Sequence, residues 1–505
     1  MQKFIFVSFI WCVIIALLLN STDAKRTKLP KKSKKVSKKK SLDDGYYAIF
    51  VNTTLTTSFA NGHDKREVQK EFIDSFVDEI HSLIIENVET YQNPEVVEEM
   101  IQTERLRKRE NEEADSMIVY LLSSLEDGRS VVGAFLSDGI IDMIKGYNVV
   151  YDVLSNRHFK YGFYESKESI SNARPNADFH LSLISQDNLT GKDYKDYDNT
   201  YYPLNPSGEG VDIFIFDSNF SFDDSEFKNN NNRTTRCVAN LSYGRVDNPR
   251  SKLYCSSMHN GEHGTIVADI AAGAEHGVAI NANVYGFVLE YEPTYFSILK
   301  GLELLAHSKS KKRAVVNLSI GDYFPDTEEN SDLDYFHDLI KNLTDKGYIF
   351  VACAQNDGKP VKNTEEKETM YPCAFDEVIC VGATESPSLS YVDETTNEEV
   401  FVNPYKKADF SNFGDGVDIY APGYVTYSVY NPYYGMRDGM KHGTSFATPI
   451  VSGVVASIMS QNPSTEYDVE SMKEELRKIS YKGVVEGVDK KHESNYFINN
   501  GAVKY

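Results

Sequence analysis

Residues 442–459 read HGTSFATPIVSGVVASIM. A short polar opening passes abruptly into an apolar run, and Ser445 sits where a helix begins. A helix start carries backbone N–H groups without intrahelical acceptors and a partial positive charge. A serine at that junction is either a plain N-cap or a nucleophile beside a ready anion site. The upstream sequence has to separate the two.

From about residue 187, apolar runs recur: VDIFIFD (211–217), ANVYGFVL (282–289), RAVVNLSI (313–320), GYIFVACA (347–354) and EVICVGAT (377–384). Helical patterns fall between most of them, at 263–273, 294–307 and 332–345. Continuous apolar strands alternating with helices predict an α/β fold with a mostly parallel sheet covered on both faces. In such sheets chemistry gathers at the carboxyl ends of the strands.

Three candidates stand at such places. Asp217 closes the strand VDIFIFD; on its own it reads first as a turn residue. His263 precedes Gly264-Thr265 at the start of a helix, in HNGEHGTIVADIAAG (259–273). His259 and His276 are near it in sequence, yet the spacing is not that of a zinc site. Asn356 follows the strand in FVACAQNDG (350–358). Serine hydrolysis needs an imidazole to take the hydroxyl proton, a carboxylate to hold that imidazole, and donors for the oxyanion.

With their flanks, GEGVDIFIFDS around Asp217, HGT at His263, Asn356, and GTSFATPIVSGVVA around Ser445 resemble the subtilisin-like serine proteases, in the order Asp–His–Ser. The resemblance covers nearly everything after residue 187, including YPCAFDEVICVGAT (371–384) and FINNGA (497–502). It implies the subtilisin-like three-layer fold, a serine endopeptidase, and specific roles. Ser445 is then the nucleophile, His263 the general base and acid, Asp217 its orienting carboxylate and Asn356 an oxyanion donor. Ser319, Ile320 and Gly321 correspond to the edge that pairs with extended substrate. Ala352, Cys353 and Ala354 correspond to a wall of the specificity pocket and Met370 to its floor, which suggests a pocket too shallow for large aromatic side chains. Within that resemblance, the asparagine-rich composition, the sequons and the short C-terminus suggest a eukaryotic member near the proteinase K and cerevisin-like branch.

Three positions depart from the family pattern: Asn219, in an Asn-Phe-Ser sequon, stands where glycine is usual after Asp217-Ser218; Gln355 replaces the glycine before Asn356; and Met370 falls where a small pocket-floor residue is common. The rival to the enzyme is a catalytically inactive surface or wall protein of the same fold. No cofactor is expected for catalysis. Structural calcium is implied by relatives, though no loop has diagnostic ligand spacing.

The N-terminus has the form of a secretory signal peptide, residues 1–24: MQK, an apolar run FIFVSFIWCVIIALLL, then small residues near Ala24. Residues 25–45 form a basic tail, rich in lysine over 25–40, of the kind that stays solvated. Residues 46–160 read as a small α+β unit, with a strand YYAIFVN and a helix that puts Phe72, Phe76, Ile80, Leu83 and Ile84 on one face. By the resemblance this unit is an inhibitory prodomain. Polar residues 161–186 read as a linker with the processing site, and 187–505 as the peptidase domain.

Secretion agrees with sequons at Asn52, Asn188, Asn219, Asn232, Asn240 and Asn342; a further one at Asn317 lies in a predicted core strand. Beyond Cys12 the cysteines are Cys237, Cys255, Cys353, Cys373 and Cys380, enough for two disulfides, of which Cys237–Cys255 and Cys373–Cys380 are the local pairings. The net charge of −22 argues against nucleic acid as a partner. The expected partners are protein or peptide substrates and the chain's own prodomain. A secreted monomer with no stable membrane span is the expectation.

Overall fold

The structure is a computed structural model that describes residues 44–54, 65–110, 116–161, 177–187, 199–228, 233–249, 251–256, 261–308, 313–326, 330–386, 390–392, 399–431, 435–489 and 494–502. The signal peptide, nearly all of the basic tail, His259 and the sequons at Asn188 and Asn232 lie outside the described residues. The chain divides into two compact units, residues 1–157 and 158–505.

The first unit is an antiparallel four-stranded sheet with Gly45–Asn52 between Arg129–Leu136 and Val150–Ser155, and Val119–Ser124 on the far side of Arg129–Leu136. The expected helix runs Lys65–Glu86, and Phe72, Phe76, Ile80 and Ile84 enter the core while Leu83 packs at its margin. The charged stretch after residue 94 is helical over Pro94–Glu110, with Val97 and Ile101 turned inward. Its other residues are mostly polar, so the sequence signal is narrow.

In the second unit seven strands run parallel in the spatial order Ile419–Pro422, Val378–Thr384, Tyr348–Cys353, Ala314–Leu318, Asp212–Asp217, Asn283–Val288, Thr235–Ser242. Short strands extend both edges to ten. Ala314–Leu318, Tyr348–Cys353 and Val378–Thr384 are buried at every residue, which is why they read as unbroken apolar runs. The outer strands at Thr235–Ser242 and Ile419–Pro422 escape the sequence reading: the first alternates buried and half-buried residues, and the second spans only four.

Helices His263–Ala272 and Thr444–Gln461 pack against each other and the sheet; Tyr295–Ala306 and Ser331–Thr344 pack together as the other layer. The first pair approach closely because Gly453 has no side chain: a Cβ there would stand 2.8 Å from Ala271 O and 2.6 Å from Val278 Cβ. Residues read as linker are partly structured: a strand at Lys160–Tyr161 straddles the start of that stretch, and a helix at Phe179–Ser182 is followed by buried Leu183 and Ile184. Asn500 N donates to Ile184 O, so this segment joins the second unit at its C-terminal end. The polar residues on either side hid the short apolar cluster. Among the described residues no helix is long and apolar enough to cross a membrane.

Candidate active site

Because the central strands are parallel, Asp217, Ser319 and Asn356 all emerge at the same edge, from the neighbouring strands Asp212–Asp217, Ala314–Leu318 and Tyr348–Cys353. Two helices bring in the remaining groups at their first residues, His263 and Thr444-Ser445.

Asp217 is fully buried, and its carboxylate faces Nδ1 of His263 at 2.8 and 2.9 Å. Ser218 N donates to the same carboxylate at 2.7 Å. Gly264 makes this approach feasible, since a Cβ there would lie 3.0 Å from Asp217 Cβ and 2.6 Å from Asn219 O. With Nδ1 committed to Asp217, Nε2 is the imidazole nitrogen left to exchange a proton with a hydroxyl. Phe446 flanks the ring, with centroids 5.2 Å apart.

Gly443 precedes the second helix with φ +147°, a conformation that favours glycine. Ser445 is fully buried, and its Oγ donates to Ser319 O at 3.0 Å. Asn356 Oδ1 accepts from both Thr444 N (2.9 Å) and Thr444 Oγ1 (3.0 Å). Those bonds fix which way the amide faces and leave Nδ2 as its donor side. Thr444 was visible in the motif, but its clamp on Asn356 depends on groups 88 residues apart. A second group missed in the sequence is Asn317, whose Nδ2 donates to Ser319 Oγ while its Oδ1 accepts from Ser452 Oγ.

The residues assigned to substrate binding lie around this edge. Ile320 and Gly321 begin a strand that pairs antiparallel with Tyr161 and Lys160, and on its other side with Glu368–Tyr371. Ala352, Cys353 and Ala354 are fully buried, and burial pushes the Cys353 thiol up to about 12. Met370 is buried with its Sδ 3.2 Å from where a Gly321 Cβ would be. Gln355 holds φ +76° and directs its amide at Gly321 O and Lys160 O.

Asn219 starts a strand, Asn219–Ser221, paired with Tyr254–Ser256. Its side chain is buried and donates to Gly261 O at 2.8 Å. Cys237–Cys255 and Cys373–Cys380 are bonded, leaving Cys353 as a free, buried thiol.

Away from this edge, Glu226, Glu275 and His276 come close enough to share an ion. Calcium prefers six to eight oxygen ligands. Here one donor is an imidazole already bonded to Asp178 at 2.6 Å, and the Arg233 guanidinium donates to the carbonyls of Glu226, Ala272 and Ile280. With three donors, one of them a nitrogen engaged with Asp178, the set falls short of what calcium requires.

Residues 208–493 match the family model of the subtilases, peptidase S8. Subtilisin-like protease 2 of Arthroderma otae is 31% identical over 231 residues, covering 43% of this chain and 42% of that protein. Subtilisin-like protease 7 of Trichophyton tonsurans is 27% identical, covering 44% and 46%. The matches thus span less than half the length of these curated relatives. Among solved structures, an epidermin leader peptide processing serine protease from Staphylococcus aureus aligns over 91% of this chain and 99% of its own, with TM-score 0.57 and 15% identity, a likeness of fold. The extent of the family match, over more than half of the residues, makes this chain a member of the subtilase family.

Proposed function

We propose that the chain is a serine endopeptidase of the secretory pathway, made as a zymogen whose first unit is an inhibitory prodomain. The observation that carries this reading is the Asp217–His263 pair at the sheet edge where Ser445 opens a buried helix. Ser445 Oγ turns from Ser319 O to Nε2 of His263, gives up its proton and attacks the peptide carbonyl. Asp217 keeps Nδ1 protonated and stabilises the imidazolium. The Asn356 amide and the Ser445 N–H take the oxyanion. His263 then protonates the leaving amine, and water releases the acyl-enzyme.

Extended peptide binds by adding a strand to Ile320-Gly321, main-chain bonds supplying affinity. The chain's own Lys160–Tyr161 segment makes such a pairing and supports the reading. Its antiparallel direction narrows the expected processing zone to the first bonds after Tyr161. Fluorophosphonate labelling of secreted protein, abolished by Ser445→Ala, together with N-terminal sequencing of the mature form, tests both parts. An unlabelled and unprocessed wild type overturns the enzyme reading in favour of a binding protein. A mature N-terminus more than a few residues beyond Tyr161 overturns the processing zone alone.

A further inference from the structure

Gln355 places a long polar side chain directly before Asn356, in a backbone conformation that a side chain resists. Its φ of +76° lies in the left-handed region, where strain persists only if the surroundings over-determine it. Those surroundings are explicit. The side chain is buried, and Nε2 donates to Lys160 O at 2.6 Å and to Gly321 O at 3.0 Å. Lys160 and Gly321 are register partners on adjacent strands. One amide therefore bridges the fixed edge of the cleft and the extended segment lying on it.

The stem of the same residue fills space. A Cβ on Gly321 would meet Tyr371 O at 3.0 Å, Met370 Sδ at 3.2 Å and Gln355 Cγ at 3.6 Å, so the space beside this strand is already lined by backbone and by these two side chains. The donor half of the side chain meets a carbonyl that every peptide possesses. The apolar half excludes volume, which discriminates between side chains.

We propose that Gln355 is a substrate-positioning and specificity residue. Its amide donates to the main-chain carbonyl of the peptide residue aligned with Gly321, and its stem, with Met370, closes the adjoining recess to large side chains. This rests on the endopeptidase reading, with Lys160 standing in for the aligned substrate residue.

Two variants of the full-length chain, assayed after its own processing, separate the parts. Gln355→Met keeps the stem and removes the donor. KM for peptides long enough to include the aligned residue should rise about three- to tenfold, the worth of one net hydrogen bond, with kcat unchanged. Truncated peptides lacking that residue should show a clearly smaller rise. Gln355→Gly also relieves the left-handed strain and opens the recess. In a peptide library varied before the scissile bond, the preference for Phe over Ala should rise on the order of tenfold.

Amide hydrogen exchange in the full-length Ser445→Ala chain reads the contact without catalysis: adding Gln355→Met should speed exchange at 160–161 and 320–321 and leave the core strands unchanged. Equal effects on long and truncated peptides, or unchanged exchange, overturn the proposal. Absent hydrolysis in the wild type with exchange still responding would remove the endopeptidase reading and leave Gln355 as the clamp on a bound strand.

Discussion

The Ser319 hydroxyl donates to the carbonyl of Ser445 at 2.8 Å, while Ser445 Oγ donates to the carbonyl of Ser319 at 3.0 Å. The first bond has a cause within the helix. The carbonyl of Ser445 would ordinarily accept from the N–H four residues later, but that residue is Pro449, which has none. A side chain from the neighbouring strand supplies the missing donor. Buried carbonyls left without one cost about 1–3 kcal/mol.

Ser319→Ala should therefore destabilise the chain by about 1–3 kcal/mol and lower kcat more than it raises KM, because Ser445 loses its anchor. Pro449→Ala restores a helical N–H to the same carbonyl. In the double variant the loss should be visibly smaller than the sum of the single effects. Thermal unfolding and steady-state kinetics of the four chains check this; strict additivity would disprove the link.

Asn356→Asp keeps an oxygen for Thr444 N and Oγ1 yet removes the amide donor. Turnover should fall roughly 10²–10³-fold, the range for losing one oxyanion donor, a figure measured on a subtilisin. Melting temperature should stay near that of the wild type. A collapse of stability instead would assign Asn356 a mainly architectural part.

Asp178 and His276 face each other at 2.6 Å, both largely buried. Burial is the largest influence and works against charge on each, but their mutual hydrogen bond and the attraction of neighbouring opposite charges together exceed it, so His276 is raised and Asp178 lowered. Glu226 and Glu275 add to the pull on His276. The raised histidine contributes stability below about pH 6.5, lost as pH rises through its folded value. The lowered carboxylate contributes above about pH 3.9, lost as pH falls through its folded value. Asp178→Asn should depress the melting temperature more at pH 5.5 than at pH 8.5. An equal drop at both would rule out the ion pair as the source.

The sequon at Asn219 should be unoccupied in folded, secreted protein, since its Nδ2 is buried and bonded to Gly261 O. Peptide mapping after deglycosylation in heavy-oxygen water should show modification at exposed Asn52 and none at Asn219. A glycan found on Asn219 would mean that this strand does not form as described.

Much of the fold was legible because the central strands are buried on both faces, which demands uninterrupted apolar runs such as VICVGAT. Helix starts were equally plain at His263 and Thr444, where small residues interrupt the pattern. Residues 179–184 were not legible: a one-turn helix and two buried aliphatics fall below any period that sequence can display. Of the candidate site, the motifs named Asp217, His263, Asn356 and Ser445, but not Thr444 or Asn317 as their supports. Supports act through single hydrogen bonds between distant segments and leave no periodic trace.

By itself the sequence determined the parallel sheet, the edge at which its polar residues gather, and the order in which they arrive. These follow from local burial patterns and from the rule that parallel strands end on one side. Tertiary structure alone decided that Asn219 is a buried strand residue, that Cys353 is the unpaired thiol among the described residues, and that Gln355 turns toward Gly321 and Lys160. Each of those outcomes depends on which backbone groups come within hydrogen-bonding reach across long stretches of chain, and that proximity exists only once the sheet and its two helices have packed.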